Sequence, residues 1–133
     1  MAPMSRIDLV KHGVPPEALG LLAADMGITR EQLYVTLGVP RATMERKVRQ
    51  HRRLNQDESE RVVGVARLVG QVEQMVRDSG DPDGFDAARW TASWLQRSLP
   101  ALGGARPGEL MDTAEGREIV SGLVAQMQSG AYA

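Results

Sequence analysis

Val62, Val65, Ala66, Val69, Val72 and Val76 recur at helical spacing, which gathers them on one face of a single long α-helix. Asn55 and Glu58 precede the stripe at the separation of a capping box, in which the Asn side chain and the Glu side chain each take a backbone N–H of the first turn. An apolar face of that length has to be covered by other elements. Elsewhere no segment shows sustained period-two alternation with β-branched enrichment, so the covering elements are read as helices too. The chain has 133 residues but only one Phe, two Trp and two Tyr, so its core must rest on Leu, Val, Ile, Ala and Met. A chain of this size buries roughly two-thirds of its unfolded surface. Gly64 and Gly70 interrupt the stripe, each at about 1 kcal/mol of helix preference against Ala. They read as sites of close helix approach in the core, with dimer packing as the sharper alternative.

Before this helix the chain divides at glycine and proline. Met1 to Arg6 is expected to fray, and Ile7, Leu9, Val10 and Val14 fit either a short strand or a helical turn. Pro16 suits the first position of a helix, Leu19, Leu22, Ala23 and Met26 follow on one face, and Gly27 suits its end. Thr29 and Gln32 form a second capping box, ahead of Leu33 and Leu37. Gly38-Val39 turns the chain and Pro40 opens the next helix, anchored by Met44 and Val48.

Two short helices joined by a three-residue turn with glycine match a helix-turn-helix. The second helix of such a unit enters the major groove with its N-terminal residues at base edges. Arg41, Ala42, Thr43 and Arg46 occupy that position, and Lys47, Arg49, Arg52 and Arg53 are placed for phosphate contacts. From Arg41 to Arg53 there are six Lys/Arg and one acid, Glu45. Tyr34 stands where many such motifs carry a small residue, which predicts a looser or re-angled packing of the two helices.

Asp78 to Gly84, DSGDPDG, is the clearest boundary, dividing residues 1–78 from 79–133. Its acids lack the spacing and closing Glu of a calcium loop, so it reads as a solvated turn. Asp86 then caps a helix with Ala88, Thr91, Ala92 and Leu95 turned inward. Trp90 and Trp94, four residues apart, are either core pillars or interface anchors. Pro100 stops that helix, Gly103-Gly104 makes a turn, and Pro107 opens a short helical turn ending near Met111. Thr113 caps the last helix, with Ile119, Val120, Leu123, Val124 and Met127 as its stripe and Gly130 at its end. Ala131, Tyr132 and Ala133 form a short tail.

No cysteine is present, so there is neither a disulfide nor a thiolate metal site. The two histidines, His12 and His51, are isolated, and no HExxH, GxSxG or phosphate-loop pattern occurs. No catalytic residue, metal ligand or cofactor is expected, and the chain reads as a binding protein, not an enzyme. No run approaches a membrane span and no signal peptide is evident, so a cytoplasmic location with no membrane partner is expected. Charge is unevenly spread: residues 1–53 carry nine Lys/Arg against five Asp/Glu, and residues 54–133 seven against twelve. A basic front and an acidic back fit two partners of different character.

The ordered set Trp94-Leu95, Leu102-Gly103-Gly104, Pro107 with Glu109-Leu110-Met111, Thr113, Gly116, Val120, Leu123 and Gly130 resembles the toxin-binding domain of the Xre/MbcA/ParS antitoxins. LGVPRATMERKVR resembles the turn and recognition helix of their Xre-like helix-turn-helix, and Leu54 with DESERV the start of their linking helix. The resemblance runs from about Val10 to Tyr132. It implies an N-terminal helix-turn-helix bundle joined by a long helix to a small C-terminal toxin-binding domain. It further implies an antitoxin of a bacterial type II system whose partner is a RES-domain toxin that degrades NAD or uses it to ADP-ribosylate a target. Such an antitoxin is expected to occlude the toxin's NAD pocket, to bind its own operator, and to form a homodimer within a hetero-oligomeric complex. On this resemblance the toxin surface comprises Trp94, Leu102, Gly103, Gly104, Pro107, Met127 and Gly130 with Ala131, Tyr132 and Ala133. Gly103, Gly104, Pro107 and Gly116 serve there as scaffold. Tyr132 is the one large side chain of the tail and its expected anchor, although ordinary fraying is what the tail alone would predict. The alternative is a helix-turn-helix regulator whose C-terminal half only dimerises.

Overall fold

The computed structural model describes residues 2–80 and 83–130. Among them the chain forms seven α-helices and two 3₁₀ turns, with no strand. The helices are α1 (Pro3–His12), α2 (Glu17–Met26), α3 (Arg30–Leu37), α4 (Arg41–Gln50), α5 (Gln56–Asp78), α6 (Ala87–Trp94) and α7 (Ala114–Ser129). The 3₁₀ turns are Pro100–Leu102 and Pro107–Leu110.

The expected local chemistry sets most helix ends. Thr29 accepts from the Gln32 N–H while Gln32 accepts from the Thr29 N–H, and Asn55 and Glu58 do the same at α5. Asp86 caps α6 and Thr113 caps α7. The N-terminal segment differs from expectation. Pro3 to Arg6 is helical instead of frayed, because Pro3 sits at the first position of α1, where its missing N–H costs nothing. That resolves Ile7, Leu9 and Val10 as helical.

The central element is α5, against which α1, α3, α6 and α7 all pack. One continuous core runs from Leu19, Leu33, Leu37 and Met44 through Val62, Val65, Val69 and Val72 to Trp94, Leu95, Val120 and Val124. Because neighbours lie on more than one side, α5 buries Val63 and Leu68 outside the expected stripe, while Ala66 is exposed. Gly64 lets the stem of Arg117 lie against α5, whereas Gly70 meets nothing. On α7 the expected stripe holds except at Ile119, which is 46% exposed.

In the C-terminal half, the Leu99 N–H bonds to the Ala105 carbonyl and the Gly104 N–H to the Leu99 carbonyl, closing a tight loop. Gly103 and Gly104 turn it with φ of +64° and +90°, a pair of conformations that side-chain-bearing residues resist. None of the helices among the described residues is long and apolar enough to cross a membrane.

Candidate nucleic-acid interface and partner surface

Helix α4 carries its buried and exposed residues on separate faces. Met44 is fully buried and Val48 half-buried against the core, while Ala42, Arg46 and Arg49, spaced i, i+4 and i+7, share the exposed face. Arg46, Arg49 and Arg52 form no salt bridge among the described residues. Arg41 is exposed and pairs loosely with Glu31 at 3.4 Å, and Thr43 is half-buried.

Two of the expected phosphate contacts have internal partners instead. The Lys47 ammonium pairs with Glu58, the capping residue of α5, and its side chain is only 15% exposed. Arg53 donates to the Gly13 carbonyl at 2.8 Å, tying the segment after α4 to the end of α1. His51 caps α4 in the left-handed conformation, and its Nδ1 lies 3.0 Å from Glu17.

Tyr34 corrects the expectation of loose packing. It is buried, and its hydroxyl donates to Glu45 at 2.8 Å. Arg30 donates to the same carboxylate through Nε at 3.2 Å and Nη2 at 2.9 Å, so three side chains fasten α3 to α4. The Arg30 and Tyr34 hydrogen bonds hold the Glu45 carboxyl below its ordinary 4.5. Its stabilisation is therefore complete above that value and is lost as the pH falls through the lowered one. Burial, reinforced by Glu45, pushes the Tyr34 phenol from 10.0 up to about 12. A phenol raised in the fold stabilises fully below its unfolded value and loses that contribution as the pH rises through about 12. Phenolate absorbance should therefore show a late-ionising tyrosine that Tyr34→Phe removes. Complete ionisation near pH 10.0 would deny the burial and the Glu45 contact.

The C-terminal residues sit at different depths. Trp94 is a core residue, 2% exposed, and stacks on half-buried Trp90 at 5.8 Å between ring centroids. Phe85, 39% exposed, leans on Trp90 at 6.3 Å. Trp90 and Phe85 thus carry the aromatic cluster toward the surface. Leu102 and Met127 are half-buried, Gly103, Gly104 and Gly130 are exposed, and Pro107 is buried. Ala131, Tyr132 and Ala133 lie outside the described residues. Among the described residues no group of His, Cys, Asp and Glu could hold a metal ion.

Sequence reasoning missed the Arg30–Glu45–Tyr34 cluster and the Lys47–Glu58 pair. Both join residues at least 11 positions apart, a separation at which no local spacing rule operates.

Residues 5–67 match the antitoxin Xre-like helix-turn-helix domain, and residues 71–130 match the antitoxin Xre/MbcA/ParS C-terminal toxin-binding domain. The two matches meet inside α5. The chain is also 44% identical over 132 residues to a protein of Sphingobium sp. (strain YBL2) named Prs ADP-ribosylating antitoxin, an alignment spanning 99% of this chain and 83% of that one. A helix-turn-helix fastened through α5 to a C-terminal helical unit, with both parts matched in order, places the chain in the Xre/MbcA/ParS family: it is an antitoxin of a toxin-antitoxin system, with an Xre-like helix-turn-helix domain and a C-terminal toxin-binding domain.

Proposed function

We propose that the chain neutralises a RES-domain toxin that uses NAD by occluding its active site, and represses its own operon by binding operator DNA. It does so without chemistry of its own and in the cytoplasm. The observation that carries the toxin reading is the match of the toxin-binding domain to residues 71–130, which include the whole of α7. The acidic balance of residues 54–133 supports it, because a site that accepts an anionic dinucleotide is itself basic. The name of the Sphingobium relative ties that protein to ADP-ribosylation, which favours an ADP-ribosylating toxin here. The contact surface on this reading is Leu102, Met127 and Gly130, with Tyr132 in the tail as anchor, and the exposed Gly103-Gly104 turn is the scaffold that shapes it. Trp94 supports that surface from the core.

The DNA reading rests on the exposed Ala42, Arg46 and Arg49 face, flanked by Arg41, Thr43 and Arg52. The working unit is a homodimer within a hetero-oligomeric complex. A groove of about 1700 Å³ between α1, α5 and α7 supports this, lined by charges of both signs, with Lys11 from α1, Glu60 and Arg67 from α5, and Glu115, Arg117 and Glu118 from α7. A two-fold-related copy could pair those opposite charges.

Co-expression with the neighbouring reading frame tests the toxin reading. A stable complex is expected, whose partner consumes NAD only when freed from this chain. Deleting residues 129–133 should abolish protection of cells while leaving operator binding intact. Full protection by the truncated chain would remove the tail from the mechanism, and specific DNA binding with no partner at all would favour a plain regulator.

A further inference from the structure

The turn of the helix-turn-helix is held from outside the motif. Arg61, on α5, donates from Nη1 to the Leu37 carbonyl at 2.9 Å and to the Gly38 carbonyl at 3.2 Å, while its Nε bonds Asp57 at 3.2 Å. These are carbonyls at the end of α3, where the helix itself supplies no donor. Asp112, in the turn between the second 3₁₀ segment and α7, closes on the same place. A β-carbon built on Gly38 would lie 2.6 Å from the Asp112 β-carbon and 3.0 Å from Arg61 Nη1. Gly38 itself has φ of +70°. Helix α4 begins at Arg41, so the backbone of this turn sets the direction in which α4 leaves α3.

We propose that Arg61 and Asp112 clamp the Leu37–Gly38 turn and so position α4 for DNA, which makes sequence recognition depend on α5 and, through Asp112, on the turn before α7. Arg61 and Asp112 are positioning residues that act through α4. The inference rests on the reading that α4 meets DNA. A charge-assisted bond to an orphan carbonyl is stronger than a neutral one, and two of them meet on one guanidinium nitrogen. The side chain of Arg61 is 21% exposed, so solvent replaces it poorly. Asp112 contributes shape instead: its β-carbon fills the space over Gly38, leaving none for a larger residue there.

The test uses the full chain, a duplex carrying the promoter region of its own operon, and a scrambled duplex of equal length, with Kd measured across salt concentrations. Arg61→Gln should weaken promoter binding about tenfold, the effect of losing a hydrogen bond to a charged group. The scrambled duplex and the salt slope should not change, and Arg61→Lys should restore part of the loss. An equal loss on both duplexes with a slope shallower by about one would make Arg61 a phosphate contact and overturn the clamp. An unchanged promoter affinity would overturn it as well.

A double-mutant cycle supplies the second arm. Asp112→Gly alone should weaken promoter binding and leave the scrambled duplex unaffected, and an unchanged promoter affinity would remove Asp112 from the clamp. Gly38→Ala should weaken promoter binding too, and adding Asp112→Gly there should recover part of that second loss, since the left-handed strain is common to both variants and only the collision is relieved. No recovery would remove Asp112 from the clamp. If the wild-type chain failed to distinguish the two duplexes, the DNA reading would fall and the clamp with it. Discrimination by the wild type with unaffected variants would sink the clamp alone.

Discussion

Gly116→Ala is expected to lower the melting temperature of the chain by about 10 °C, corresponding to about 3 kcal/mol for forcing a side chain into filled space. Gly116 is buried in the first turn of α7, and its N–H donates to the Thr113 hydroxyl at 2.9 Å. A β-carbon there would stand 1.9 Å from the Leu110 carbonyl oxygen and 2.9 Å from the Thr113 hydroxyl oxygen. The nearest obstacle is backbone, so no rotamer change relieves it. The segment from Gly108 to Leu110 would have to move, straining the bond from the Gly108 N–H to the Leu95 carbonyl at 2.8 Å. The helix preference gained by replacing glycine is about 1 kcal/mol and does not offset this. Gly122→Ala is the matched control, because the same helix leaves open space there. It should stabilise by about 0.5–1 kcal/mol. Equal melting temperatures for the two variants would contradict the packing of α7 on the Pro107–Leu110 turn. Because that turn braces the surface proposed for the toxin, Gly116→Ala should also weaken the toxin complex.

The second large effect concerns DNA. Arg46→Ala should reduce promoter affinity by about 1–3 kcal/mol, roughly five- to 150-fold, and relax base preference, as expected for losing a side chain that reads base edges. Arg49→Ala should weaken all sequences about equally and reduce the salt slope by about one. Lys47→Ala should behave differently from both. Its partner is Glu58, so its removal should act on stability and leave the slope alone. Titration of the three variants against promoter and scrambled duplexes separates these outcomes. Sequence-blind losses of equal size from Arg46→Ala and Arg49→Ala would withdraw Arg46 from base reading.

The parts of the fold written in local chemistry could be read from the chain. Thr29 with Gln32 and Asn55 with Glu58 announce helix starts because both partners lie within one turn. Met44 and the α5 valines announce core positions because their period matches a helix. Helix α1 was not legible, since its apolar residues buried nothing completely and its start depends on a single proline. The basic cluster was legible as a cluster, but not which of its members are free. Lys47 and Arg53 find partners 11 and 40 residues away, and only tertiary packing brings those groups together. Spacing alone paired Trp90 with Trp94, but burial of Trp94 and partial exposure of Trp90 follow from the course of the chain after α6.

That tryptophan pair has a spectroscopic consequence. Both indoles of the chain belong to α6, stacked with only 11° between their planes, and none lies in the helix-turn-helix. Emission excited selectively through indole therefore originates in the C-terminal half alone. Half-buried Trp90 will respond to a protein docking nearby, and Trp94, sealed in the core, to loosening of the fold. Toxin titrations and unfolding curves can thus be followed on the unlabelled antitoxin by its own fluorescence.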